Sequence, residues 1–179
     1  MGASAFSSPE SRFEAYGANP APAARDLAKP EVRPPRGRII LIDTAENRLY
    51  VRHGRRVLLD ALCATGSGHR LISGDREWTF ETPRGEFKIT YVTEFPVWRK
   101  PDWAYVEEGE PLPERDGDRM EYGVLGSFAL GIGDGYYIHG TLYTRLLGQN
   151  VTHGCIRLSE PDLNRLVDLA PLGTPVFIF

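Results

Sequence analysis

Thr152-His153-Gly154-Cys155-Ile156-Arg157-Leu158 brings a thiol, an imidazole and a guanidinium together beside a glycine, in a turn-prone stretch just before a helix. A cysteine becomes a useful nucleophile when a neighbouring base or positive charge favours its thiolate. A second histidine, His139, ends a strand-like run, is followed by Gly140, and is separated from Thr152 by twelve residues. That interval holds a short helical turn over Leu142–Leu147, stopped by Gly148, and a return to the same sheet edge, so His139 is a candidate base for Cys155. Gly154 lets the chain bend tightly before the thiol. Successive N–H groups can then face one point, an arrangement suited to a developing oxyanion. Arg157 lies two residues beyond Cys155, and in an extended segment such residues project to the same side, where the guanidinium can bind a substrate carboxylate.

Plainer readings stand beside these. A lone cysteine is commonly a small buried hydrophobe and a lone histidine a structural one. Arg157 can instead pair with a nearby carboxylate such as Glu160, and His153 can serve through its backbone N–H alone. Tyr136, Tyr137 and Tyr143 suit packing or the wall of a groove. Cys63, within Leu59-Asp60-Ala61-Leu62-Cys63-Ala64, reads as core; His53 and His69 read as surface. A zinc site from His139, His153 and Cys155 lacks CxxC or HExxH spacing. A sortase-type Thr-Leu-x-Thr-Cys motif is missing, and papain-like peptidases place the cysteine before the histidine, the reverse of the order here.

These residues need a scaffold. With 179 residues and 20.0 kDa, the chain suits one domain. Its 41% hydrophobic and 25% charged residues are globular in character, and no apolar run reaches spanning length. Twenty-one basic against 24 acidic residues leave a net charge of -3, without the basic footprint of nucleic-acid binding. Two cysteines exclude a disulfide scaffold, and 19 glycines with 14 prolines favour strands joined by turns.

Residues 1–37, rich in Ala, Ser and Pro and without isoleucine, read as a flexible or tethering arm; Met1–Ala18 lacks the apolar core of an export signal. From Arg38 the texture becomes strand-like. Arg38–Ile42 and Asn47–Val51 flank a turn and predict a hairpin; Val57–Thr65 is a third strand. Thr82-Pro83-Arg84-Gly85 launches a strand over Glu86–Thr93. Arg99–Glu121, with eight acidic and four basic residues, reads as a surface insertion whose Trp103 and Tyr105, with the preceding Trp98, need somewhere to dock. Strands are expected over Val124–Ile132 and Tyr136–His139. Ser159 and Asp162 have a capping-box layout, with Leu163, Leu166, Val167 and Ala170 on one helical face, and Val176–Phe179 makes the last strand. The sum is a β-rich α+β domain.

His139-Gly140-Thr141, the twelve-residue interval, Thr152–Leu158, Thr82-Pro83-Arg84-Gly85-Glu86-Phe87 and Gly173-Thr174-Pro175-Val176 together resemble the L,D-transpeptidase catalytic domain (YkuD-like), over Arg38–Phe179. Thr152 stands where the family often has serine. The resemblance implies a mainly β sandwich or barrel with one C-terminal helix and a short helix between His139 and Cys155. It implies Cys155 as acyl-forming nucleophile, His139 as base, and Gly140 as the residue whose carbonyl orients the imidazole. The N–H groups of His153, Gly154 and Cys155 would form the oxyanion hole, and Arg157, Thr152 and Tyr137 would face the substrate. The Arg99–Glu121 segment stands where some members carry a lid.

No cofactor and no metal are expected. The implied donor is a peptidoglycan stem tetrapeptide, which loses its terminal D-alanine. The implied acceptor is a second stem peptide or a lipoprotein, and carbapenem-type β-lactams are implied covalent inhibitors. Hydrolysis by an L,D-carboxypeptidase or endopeptidase, and a wall-peptide binding module without turnover, are the alternatives. A wall substrate implies a periplasmic or cell-envelope location.

Overall fold

The computed structural model describes residues 37–179; the Pro/Ala-rich arm lies, up to residue 36, outside the described residues. The expected hairpin forms from β1 (Arg38–Asp43) and β2 (Arg48–His53). Alternation buries Ile40 and Ile42 of β1 with Leu49 and Val51 of β2, and the register pairs Ile40 with Val51 and Ile42 with Leu49. Asp43 Oδ1 closes the turn by accepting from the N–H groups of Ala45 and Glu46, at 2.9 and 3.0 Å. β3 (Arg56–Gly66) adds antiparallel to β2.

The main sheet places, in order, β6 (Gly85–Lys88), β14 (Pro175–Ile178), β1, β2, β3, β13 (Ile156–Leu158), β11 (Tyr136–Gly140), β10 (Phe128–Gly133) and β7 (Tyr91–Glu94). β12 (Asn150–Thr152) pairs with β3 off this path. β6 and β7, consecutive in the chain, occupy opposite ends, so the sheet curls on itself and the chain crosses the seam at Ile89 and Thr90. Ile89 N–H donates to Thr174 O at 3.0 Å and Thr90 N–H to Gly131 O at 2.8 Å. The single strand expected over Glu86–Thr93 is therefore two. Apolar residues at 87 and 89 followed by 92 already show a break in the period of two.

The curl encloses Leu59, Leu130, Ile138, Ile156, Leu158 and Val176 with the residues of the hairpin. Helix α2 (Glu160–Leu169) seals this core with the fully buried Leu163 and Leu166, packed against β3, β10 and β11. Each such leucine contributes about 1.5–3 kcal/mol by leaving water. Ser159 caps the helix: its hydroxyl accepts from Asp162 N–H at 3.3 Å and donates to the Asp162 carboxylate at 2.7 Å.

Two expectations are corrected in their bounds. β10 begins at Phe128 rather than Val124, because Gly123 and Gly126 adopt φ of +77° and +75° and turn the chain before it. Between His139 and Cys155 the helical piece is one 3-10 turn, Thr144–Leu146. The charged surface insertion has elements of its own: β8 (Val97–Arg99) pairs with β9 (Met120–Tyr122) around helix α1 (Asp102–Glu108), which Gly109 ends at φ +70°. Lys100 fastens it from within. The ammonium bonds Glu108 and Glu110, lies 3.8 Å from Glu121 and sits 4.6 Å above the Tyr105 ring. A further hairpin, β4 (Arg70–Ser73) with β5 (Arg76–Thr79), carries too few apolar residues to announce itself in the sequence.

Candidate active site

Two parallel neighbours, β11 and β13, bring the chemistry together. Their register pairs Ile138 with Ile156, His139 with Arg157 and Gly140 with Leu158. Ile138, Ile156 and Leu158 point into the core, so alternation sends Tyr137, His139, Cys155 and Arg157 to the other face. β10 and β7 extend that face with Ala129, which pairs with His139, and with Tyr91 and Thr93. All of these line a cavity of about 770 Å³, walled further by Phe80, Trp98 and Trp103. The sequence-predicted His139, Cys155, Arg157, Thr152, Tyr137 and His153 all contribute to it.

His139 is buried, and its Nδ1 lies 2.8 Å from Gly140 O. A carbonyl only accepts, so Nδ1 carries the hydrogen and the neutral ring keeps its lone pair on Nε2. Burial, and secondarily the Arg157 charge, lower its pKa from 6.5 to about 4. Burial also pushes the Cys155 thiol up, while the Tyr137 backbone and Arg157 work the other way. Burial thus favours the neutral form of both members of the resting pair. Arg157 itself is held below its ordinary value by desolvation. It makes no salt bridge among the described residues, and Glu160 turns instead to Ser127, accepting from its N–H and hydroxyl. The pairing of Arg157 with Glu160 does not form.

The loop before the thiol is tied by Thr152, whose hydroxyl accepts from Gly154 N–H at 3.1 Å and donates to Cys155 O at 2.6 Å. One of the three amides expected in an oxyanion hole is therefore already engaged. Gly154 has φ +119°, and a Cβ there would stand 2.7 Å from the Tyr136 ring and 2.9 Å from Glu81 O, so only glycine fits. Thr82 holds the loop from outside, its hydroxyl donating to Gly154 O and accepting from Gly66 N–H, both at 2.8 Å.

His153 goes beyond its loop. Its Nε2 lies 2.7 Å from Glu107 Oε2, its ring stacks on Trp103 with centroids 4.2 Å apart, and Phe80 meets it edge-on at 4.5 Å. α1 is thereby docked against the loop that carries Cys155. With the His153 ring facing the insertion, His139, His153 and Cys155 do not assemble as a metal-ligand set among the described residues. Sequence reading missed Glu107, Phe80 and Tyr91, and took Glu160 for a partner of Arg157. Trp98 and Trp103 had a signal, as aromatics in or beside a charged segment.

The L,D-transpeptidase catalytic domain family (YkuD) matches residues 37–178. The probable L,D-transpeptidase ErfK/SrfK of Salmonella typhimurium is 31% identical over 139 residues, covering 78% of this chain and 43% of that protein, so the chain spans less than half the length of that relative. The crystal structure of an L,D-transpeptidase from Xylanimonas cellulosilytica superposes with a TM-score of 0.59 at 20% identity, covering 82% of this chain and 62% of that one. L,D-transpeptidase 3 of Mycobacterium tuberculosis, solved with a faropenem-derived adduct, gives 0.56 at 19% identity, covering 79% and 60%. At such identities the structures establish the shared curled-sheet fold, and the family match over 37–178 establishes the rest: the chain belongs to the L,D-transpeptidase catalytic domain family.

Proposed function

We propose that the chain is a cysteine acyltransferase acting on peptidoglycan stem peptides at the cell envelope. The observation that carries this reading is the shared face of β11 and β13, where Cys155, His139 and Arg157 line one cavity with Nδ1 of His139 committed to Gly140 O. Cys155 Sγ attacks the carbonyl at the L-centre of the third stem residue, and its proton passes to Nε2 of His139. The tetrahedral oxyanion is met by backbone N–H groups of His153 and Cys155, with Gly154 contributing only by sharing the donor it gives Thr152. Collapse transfers the proton to the departing D-alanine nitrogen and leaves a thioester on Cys155. An amine of a second stem peptide or of a lipoprotein then attacks the thioester, gives its proton to His139 and releases the thiol. Water in the same place gives L,D-carboxypeptidase activity.

Arg157, without a salt-bridge partner among the described residues, suits a donor carboxylate. Tyr137 lies along the same wall. Burial, which favours the neutral thiol and the neutral imidazole, suits a base that acts during attack over one that stores a thiolate.

Incubation with a carbapenem followed by intact-protein mass spectrometry tests the nucleophile: the adduct forms on wild type and Cys63→Ser and is lost in Cys155→Ala. An adduct on Cys155→Ala refutes the assignment. Product analysis with tetrapeptide muropeptides separates cross-linking from trimming.

A further inference from the structure

Resting on the reading of His139 as base, we infer that Glu160, the first residue of α2, is a positioning residue that sets the imidazole through Gly140 and the Leu125–Ser127 turn. Its carboxylate reaches back from the helix into the seam between β10 and β11. One oxygen, Oε2, accepts from both the N–H and the hydroxyl of Ser127. The other, Oε1, is buried without a hydrogen-bond partner among the described residues, and it lies where any side chain at two glycines would begin. A Cβ on Gly126 would stand 2.0 Å from Oε1 and one on Gly140 1.8 Å from it, while the Gly126 Cβ would also meet Gly140 Cα at 2.8 Å. Two glycine backbones therefore pack against each other and against the carboxylate.

Those backbones hold the base. Gly140 O receives Nδ1 of His139, and Gly140 N–H donates to Leu125 O at 2.9 Å. Any residue at 140 supplies a carbonyl, so orientation of the ring does not by itself require glycine. The carboxylate of Glu160 does. A half-buried polar group is costly unless it is hydrogen-bonded; Oε2 takes two donors from Ser127 and thereby fixes the turn that shapes the pocket of the base.

The test is the rate of Cys155 alkylation by iodoacetamide, read by mass spectrometry across pH in wild type, His139→Ala, Glu160→Ala and the double variant, with thermal unfolding confirming that each is folded. The other titratable and charged groups lining the cavity near His139, namely Cys155, Arg157, Tyr91, Tyr136, Tyr137 and Tyr143, are identical in all four. Glu160→Ala is expected to slow alkylation about tenfold in the wild-type background and to add nothing once His139 is gone, because a residue acting through the imidazole loses its effect with it. Equal slowing in both backgrounds, or none in the first, overturns the inference. An unchanged rate in His139→Ala overturns the base assignment itself, and the inference with it. If Glu160→Ala does not fold, Ser127→Ala opens the same clamp from its other end and is held to the same two comparisons.

Discussion

Acidification from pH 7 to pH 4 should expose the cost of burying His139. In the unfolded chain the imidazole takes up its proton around 6.5; in the fold, burial and the Arg157 charge hold it off until about 4. Between those values the unfolded state binds more protons than the native one, so native stability is full above pH 6.5 and declines as pH falls toward 4. At about 1.4 kcal/mol for each tenfold change in proton affinity, the interval amounts to about 3 kcal/mol, a substantial part of the 5–15 kcal/mol typical of a domain. Urea unfolding at several pH values between 7 and 4 measures it, with His139→Gln as the partner because an amide of similar size does not titrate. The variant's own destabilisation shifts its curve uniformly; the expected signature is that wild type loses about 3 kcal/mol more than His139→Gln across the interval. Parallel curves would show that the ring is not held neutral by its site and would refute the account of the resting pair.

Gly154→Ala forces a side chain into φ +119° against the Tyr136 ring and Glu81 O, and should slow acylation of Cys155 by a carbapenem about a hundredfold; a change under threefold contradicts the loop geometry. Leu166→Ala should lower stability by about 2–5 kcal/mol in urea or thermal unfolding, and a loss below about 1 kcal/mol would mean that α2 does not seal the core. His153→Ala removes the stack on Trp103 and the bond to Glu107; a glutamyl endopeptidase should then cut α1 several-fold faster while global unfolding moves by no more than about 1 kcal/mol, and unchanged cleavage would show that α1 is held elsewhere.

How much of this was legible depended on whether the determinant was local. Cys155 and Arg157 could be placed on one side because a spacing of two in extended chain has one geometric meaning, and the β1–β2 hairpin followed from alternation and turn residues. The partners of His153 could not be read. Glu107 is an ordinary surface glutamate 46 residues away, and nothing in its neighbourhood marks the histidine it meets. The same holds for Glu160. Its place near Arg157 in sequence invited an ion pair, but the first turn of α2 aims it across the sheet at Ser127, 33 residues back. α1 escaped notice because seven residues are two turns, too few for a periodic apolar face, and its signals were the flanking Pro101 and Gly109. The break between β6 and β7 was visible as a slip in alternation at Ile89, yet only the meeting of the sheet's two ends explains why a slip was needed.

The β11–β13 ladder has a consequence for how such a domain can diversify. His139 and Cys155 are aligned by the pairing of Ile138 with Ile156, not by the chain that runs between them. That connection is re-anchored at its far end, where Gly148 N–H bonds Cys63 O and Gln149 O accepts from Thr65 N–H, leaving the exposed Leu142 and Tyr143 stretch outside the ladder, with Tyr143 on the cavity wall. Insertions, deletions and substitutions there can reshape the cavity wall while His139 and Cys155 keep their places. The wall of the cavity and the alignment of the proposed reacting pair thus rest on separate parts of the fold.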